Sequence, residues 1–114
     1  MPTRELDLLQ GTLDVLVLRA LSWQPMHGYA VARFIRQRSG DALKVLDGAL
    51  YTALHRLEER GWVDAEWGAS DKKKRAKFYR LTAAGRRALR SEAQSWNDYV
   101  EAVSRVMTAT PEPT

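Results

Sequence analysis

The strongest constraint on this chain lies toward its C-terminal end. There Leu89, Ala93, Trp96, Val100, Val103 and Met107 recur at intervals of four, three, four, three and four residues. That spacing is a heptad seam, the pattern by which a helix offers an apolar stripe to another helix. With Thr82 as its cap and Met107 near its end, the segment reads as one helix of about 25 residues, or about 37 Å. A chain of 114 residues makes one domain of ordinary size, and a domain so small does not need a helix that long to cover itself. The seam therefore predicts a second copy of the chain. Residues 108–114, with two prolines, read as a disordered tail.

Upstream of the seam the apolar period changes once. The first helix starts at Thr12, whose hydroxyl is expected to cap it, and carries Leu13, Leu16, Val17, Ala20 and Leu21 at helical spacing. Pro25 ends that run. A second helix is expected from Gly28 to Ser39 with Gly40 just past its end. A third runs from an Asp47 cap to Arg60, with Gly61 as terminator. Leu50, Ala53, Leu54 and Leu57 share one face of it, while Gly48, Thr52, His55 and Glu59 lie opposite, flanked by Ala49, Tyr51 and Arg56. After Gly61 the period becomes two. Residues 62–67 and 77–81 read as paired strands joined by a polar turn over 68–76.

Charge is concentrated in that hairpin. The chain carries +4, from 18 basic and 14 acidic residues. Within residues 71–80, Lys72, Lys73, Lys74, Arg75, Lys77 and Arg80 face only Asp71, a local balance of +5; the other 12 basic and 13 acidic residues sum to −1. Clustered cations release counterions from a polyphosphate, which is the source of sequence-independent nucleic-acid affinity. Three helices, a basic hairpin and a long helix make a mainly α winged helix-turn-helix with a small two-stranded antiparallel wing. In that geometry the third helix enters the major groove and the wing meets the neighbouring backbone. Expected organisation is a DNA-binding domain over 1–81 and a dimerisation helix over 82–107. Ala49, Tyr51, Thr52 and His55 are the candidates for base discrimination. Lys72, Lys73, Lys74, Arg75 and Lys77 are the candidates for phosphate contact.

Ordered motifs carry a family resemblance. Leu8-Leu9-Gln10-Gly11-Thr12-Leu13-Asp14, Met26-His27-Gly28-Tyr29, Gly48-Ala49-Leu50-Tyr51 and Leu54-His55-Arg56-Leu57-Glu58 resemble the PadR family of transcriptional regulators. Gly61-Trp62, Trp67-Gly68 and the run from Arg75 to Thr82 continue the match, which covers residues 6–89. The resemblance implies a dimeric repressor released from its operator by a signal, and dimerisation through the last helix and the first, with Leu9 and Leu13 joining the seam. It adds Tyr29 to the DNA-contact candidates. It also implies a flat apolar cleft for a small aromatic effector at Trp96, bordered by Ala93 and Val100; the alternative role of Trp96 is interface core. Two positions depart from the family, Ala49 for its usual serine and Thr52 for its usual proline, so the operator sequence does not carry over.

Other classes fit poorly. Cysteine is absent, which removes disulfides and thiolate metal sites and suits a reducing compartment. His27 and His55, the two histidines, lie far apart and have no ligand-spaced partners, so neither metal nor cofactor is expected. No phosphate-loop or nucleophile motif points to catalysis. The most apolar stretch, residues 13–21, is interrupted by Asp14 and Arg19 and falls short of a membrane span; with no leader pattern at the start, a cytoplasmic protein is expected. The competing readings are a winged-helix protein-interaction module and a non-specific nucleic-acid binder. Trp23, Trp62 and Trp67 are expected in the core or at the base of the wing.

Overall fold

The computed structural model describes residues 11–69 and 74–111. Its elements in chain order are α1 (Thr12–Leu21), β1 (Met26–His27), α2 (Gly28–Arg38), α3 (Asp47–Glu59), β2 (Val63–Ala69), β3 (Arg75–Leu81) and α4 (Ala83–Thr108). The described part measures 67 × 37 × 21 Å. Its core is assembled from the stripes that the helical period marks: Val17, Leu18 and Leu21 from α1, Val31 and Ile35 from α2, and Leu50, Leu54 and Leu57 from α3. Val63, Tyr79 and Leu81 close it from the sheet side. Burying each of the larger apolar side chains stabilises the fold by about 1.5–3 kcal/mol before conformational entropy is subtracted.

The sheet has three strands rather than two, in the order β1-β3-β2. Met26 pairs with Tyr79 and His27 with Phe78, so the segment before α2 adds itself to the free edge of β3. Two residues are too short to show any period, which is why this strand leaves no mark in the sequence. The hairpin is also longer than its alternating pattern, with pairing from Val63↔Leu81 out to Ala69↔Arg75. Backbone pairing propagates through Gly68, Ala69 and Ala76 although none carries an informative side chain.

Helix ends refine the reading further. Gly11 precedes α1 in the left-handed region (φ 86), and Thr12 is its first helical residue, not its cap. The Thr12 hydroxyl is buried and has no hydrogen-bond partner among the described residues. Leu46 precedes α3, and Asp47 opens the helix without capping it; its charge still suits the positive end of the helix dipole. α2 has a cap that its sequence did not advertise, because Nδ1 of His27 accepts the Ala30 amide at 3.1 Å. Gly40 (φ 63) and Gly61 (φ 76) both take the left-handed turn expected of a helix terminator.

α4 is fastened at its start. Oγ1 of Thr82 accepts the Gly85 amide (3.0 Å) and donates to the Gly61 carbonyl (2.7 Å), while the Thr82 amide donates to the Trp62 carbonyl (3.1 Å). Helix and strand come so close here that a Cβ on Gly85 would lie 1.9 Å from the Trp62 oxygen. Beyond Leu89 the helix leaves the core. Val100, Val103 and Met107 are 41%, 41% and 77% exposed. Leu89 differs from the rest of the seam because it packs against its own core, as Leu13 does. Leu9, Lys72 and Lys73 lie outside the described residues.

Candidate functional site

α3 is held by its buried face and by one charged clamp. Arg56 donates through Nε (3.0 Å) and a terminal nitrogen to the two carboxylate oxygens of Asp14 on α1, and Arg60 stands 3.7 Å from the same carboxylate. The bidentate bond fixes angle as well as distance. It also raises the guanidinium pKa of Arg56 above its ordinary value, outweighing partial burial, which lowers it. On the far side the wing is tied to α3 by Lys77, whose Nζ lies 3.4 Å from Oε1 of Glu58. Charges that the helical wheel left undecided thus orient the helix between α1 and the hairpin.

The outward face of α3 carries Gly48, Ala49, Thr52 and His55, all exposed. It is polar and nearly free of charge at its start, and His55 is paired to Glu59 at 3.0 Å one turn on. Tyr51 departs from this face. Its ring packs over the first turn of α2, where a Cβ on Gly28 would come within 2.9 Å of the phenol oxygen. Gly28 is therefore required by the approach of a side chain 23 positions away, and Tyr51 keeps about half its surface in solvent.

Between the start of α2, α3 and the hairpin lies an open cleft of about 650 Å³. Gly28 and Tyr79 line its inner part; Tyr29, Tyr51 and Trp67 form aromatic walls. The cations of the cleft lie on these rings, with the Arg33 guanidinium 5.6 Å from the Tyr29 centroid, that of Arg75 4.8 Å from Trp67, and Lys77 Nζ 5.4 Å from Tyr79. Burial pushes the Tyr79 hydroxyl above its ordinary pKa, against the opposing effect of Lys77. Of the basic run, Lys74 and Arg75 are exposed, while Lys77 is half-engaged with Glu58. Arg33 was not singled out by sequence, because a lone arginine on a helix looks like solvated surface.

Of the tryptophans expected in the core or at the base of the wing, Trp67 and Trp23 are not core residues, being 56% and 57% exposed. Trp67 belongs to the cleft, and Trp23 stands between Phe34 and Arg38 at the surface. Trp62 does pack against the core.

A second, smaller cavity of about 470 Å³ lies between α1 and α4. Trp96 lines it with Tyr99, Glu92 and Thr12, whereas Ala93 and Val100 do not. Tyr99 stacks on Trp96 with ring centroids 6.1 Å apart. Tyr99 sits one step off the seam, so its heptad position did not reveal it. Among the described residues no group of three or more acidic or histidine side chains is placed to hold a metal ion, and no helix is long and apolar enough to cross a membrane.

Comparison with known proteins agrees with this geometry. The model of the transcriptional regulator PadR-like family matches residues 17–91. An uncharacterised protein X of Lysinibacillus sphaericus is 29% identical over 102 residues, covering 89% of this chain and 93% of its own. Among solved structures, a PadR family transcriptional regulator from Eggerthella lenta superposes with a TM-score of 0.75 at 30% identity, covering 89% of this chain and 86% of that one. A PadR family transcription regulator from Clostridium difficile gives 0.74 at 25% identity, covering 85% and 99%.

Proposed function

The chain belongs to the PadR-like family of transcriptional regulators, and from that premise we propose that it is a homodimeric repressor that reads a palindromic operator. α3 enters the major groove with Ala49, Thr52 and His55 toward the base edges. Tyr29, Tyr51 and the basic residues Lys72, Lys73, Lys74, Arg75 and Lys77 meet the flanking phosphates. One observation carries the reading most: α3 buries one face completely and turns a polar, nearly uncharged face outward between cationic neighbours. A helix meant only for solvent would carry more charge there, and a non-specific binder would carry lysines.

The dimer rests on α4, along which Trp96, Val100, Val103 and Met107 stand exposed by 37–77%. Two half-sites bound by one dimer then act through effective concentration. Release comes from a planar aromatic effector at Trp96 and Tyr99; Glu92, the one carboxylate among the described residues lining that cavity, suits a cationic compound. Tryptophan fluorescence quenched by such a compound, with that quenching lost in Trp96→Ala, is the expected outcome there.

The test of the main reading is binding to the DNA just upstream of the protein's own gene, beside a scrambled duplex, at two salt concentrations. A discrete complex on the upstream DNA alone is expected. Its log affinity should fall with log salt at a slope of about 0.9 per phosphate contact. Equal, weak binding to both duplexes would favour a non-specific binder, and no salt dependence would favour a protein partner.

A further inference from the structure

The cleft between α2, α3 and the hairpin has more structure than a DNA backbone needs. Its 650 Å³ falls in the range of small-molecule sites, roughly 300–1,000 Å³. Phosphate contact alone would require cations at the rim. Here three aromatic rings, Tyr29 (69% exposed), Tyr51 (52%) and Trp67 (56%), stand along one cavity with no core to absorb them.

Charge in the cleft has one sign. Its ionisable lining includes Arg33, Arg75 and Lys77, and no carboxylate among the described residues lines it. Lys77 is shared with Glu58. Arg33 and Arg75 form no ion pair among the described residues and rest on ring faces from opposite walls, α2 and β3. A guanidinium held on an aromatic face keeps its outward N–H groups free to donate, in the fork that matches phosphate oxygens. The rings supply a stacking surface for a flat heterocycle, as aromatic side chains do for the bases of single-stranded nucleic acids.

We propose that this cleft binds a free nucleoside phosphate, its base stacked on Trp67 and Tyr51 and its phosphates held by Arg33 and Arg75. A single-ring acid would leave most of the volume empty and would use one of the cations. Tyr29, Tyr51, Arg75 and Lys77 are also proposed DNA contacts, so an occupied cleft excludes the operator. That consequence rests on the function proposed above; nucleotide binding itself does not.

The test uses the full chain with indole N–H resonances assigned by single Trp→Phe variants, and ADP, adenosine and ribose phosphate as probes. ADP should shift the Trp67 resonance saturably and leave those of Trp23 and Trp96 in place. Adenosine, which lacks the anion, and ribose phosphate, which lacks the ring, should each bind at least about tenfold more weakly, and Arg33→Gln or Arg75→Gln should weaken ADP by about tenfold. An unmoved Trp67, a shift of Trp96 alone, or ribose phosphate binding as well as ADP would overturn the site. A single-stranded oligothymidylate that outcompetes ADP at equal nucleotide concentration would replace the free nucleotide with a nucleic-acid strand. DNA enters only in a last arm, where ADP should raise the apparent Kd for the operator duplex in proportion to Trp67 occupancy. An unchanged Kd at full occupancy would overturn the competition and leave the site.

Discussion

From Val17 to Leu81 the protein buries fourteen apolar side chains, whereas the 26 residues of α4 bury only Gly85. The two regions have similar shares of apolar residues to offer, but among the described residues only the first buries them, α4 packing just Ala88 and Leu89 against the core. Upstream, helical stripes and the sheet face one another and exclude water. Downstream, Val100, Val103, Val106 and Met107 stand between 41% and 77% exposed along a helix that is continuous and well formed. A helix with one apolar seam and no local partner is stable only if something covers the seam. The contrast teaches that burial is divided along the chain, with Thr82 and Gly85 at the joint, and the proposed dimer would assign folding to one side and assembly to the other.

The joint is where the comparison breaks most easily. Gly85→Ala places a methyl where the Trp62 carbonyl oxygen already sits, and neither backbone can move without opening the end of the core. A loss on the order of 3 kcal/mol is expected, read as a lower urea midpoint. An unchanged midpoint would mean that α4 is not fastened at Trp62. Val100→Lys tests the other side. It should leave the upstream core folded, yield a monomer by sedimentation velocity, and lower operator affinity by about a hundredfold. A dimer of unchanged affinity would remove the seam from the proposed interface.

Smaller effects come from single polar contacts. Asp14→Asn leaves Arg56 and Arg60 without their carboxylate. Asp14 is 16% exposed but Arg56 is 39%, so solvent screening holds the expected loss to about 1–2 kcal/mol. Because α3 would also lose its angular restraint, operator affinity should fall more than the change in stability accounts for. Thr82→Ala removes the α4 cap at a cost of about 1 kcal/mol and should leave the oligomeric state untouched, unlike Val100→Lys.

What the sequence disclosed follows the same division. The stripes of α1, α2 and α3, the Thr82 cap and the exposed seam were legible because each is a repeat within one element. The cleft was not, since Gly28, Tyr51, Trp67 and Arg33 meet only once three segments fold together. Asp14 and Arg56 are 42 positions apart, and nothing local to either announces the other. β1 and the outer rungs of the hairpin stayed hidden for a different reason: their pairing is carried by backbone groups, which have no residue code. The Thr12 and Asp47 caps were misplaced by one residue, within the ordinary play of helix ends.

Tyr79 joins the two themes, because it belongs to the upstream core and also lines the cleft. Its hydroxyl is shifted upward from the ordinary value of 10.0, mainly by burial. Folding therefore favours the protonated phenol. Below the unfolded pKa, near 10, both states hold the proton and the stabilisation is fully present. As pH rises beyond that, the unfolded chain loses its proton first, and stability falls until the folded pKa is passed. Urea midpoints should accordingly decline more steeply above pH 10 in the wild type than in Tyr79→Phe. The variant keeps the ring in the core, so at neutral pH the two should differ little. Parallel alkaline slopes would show that the buried phenol is not what titrates.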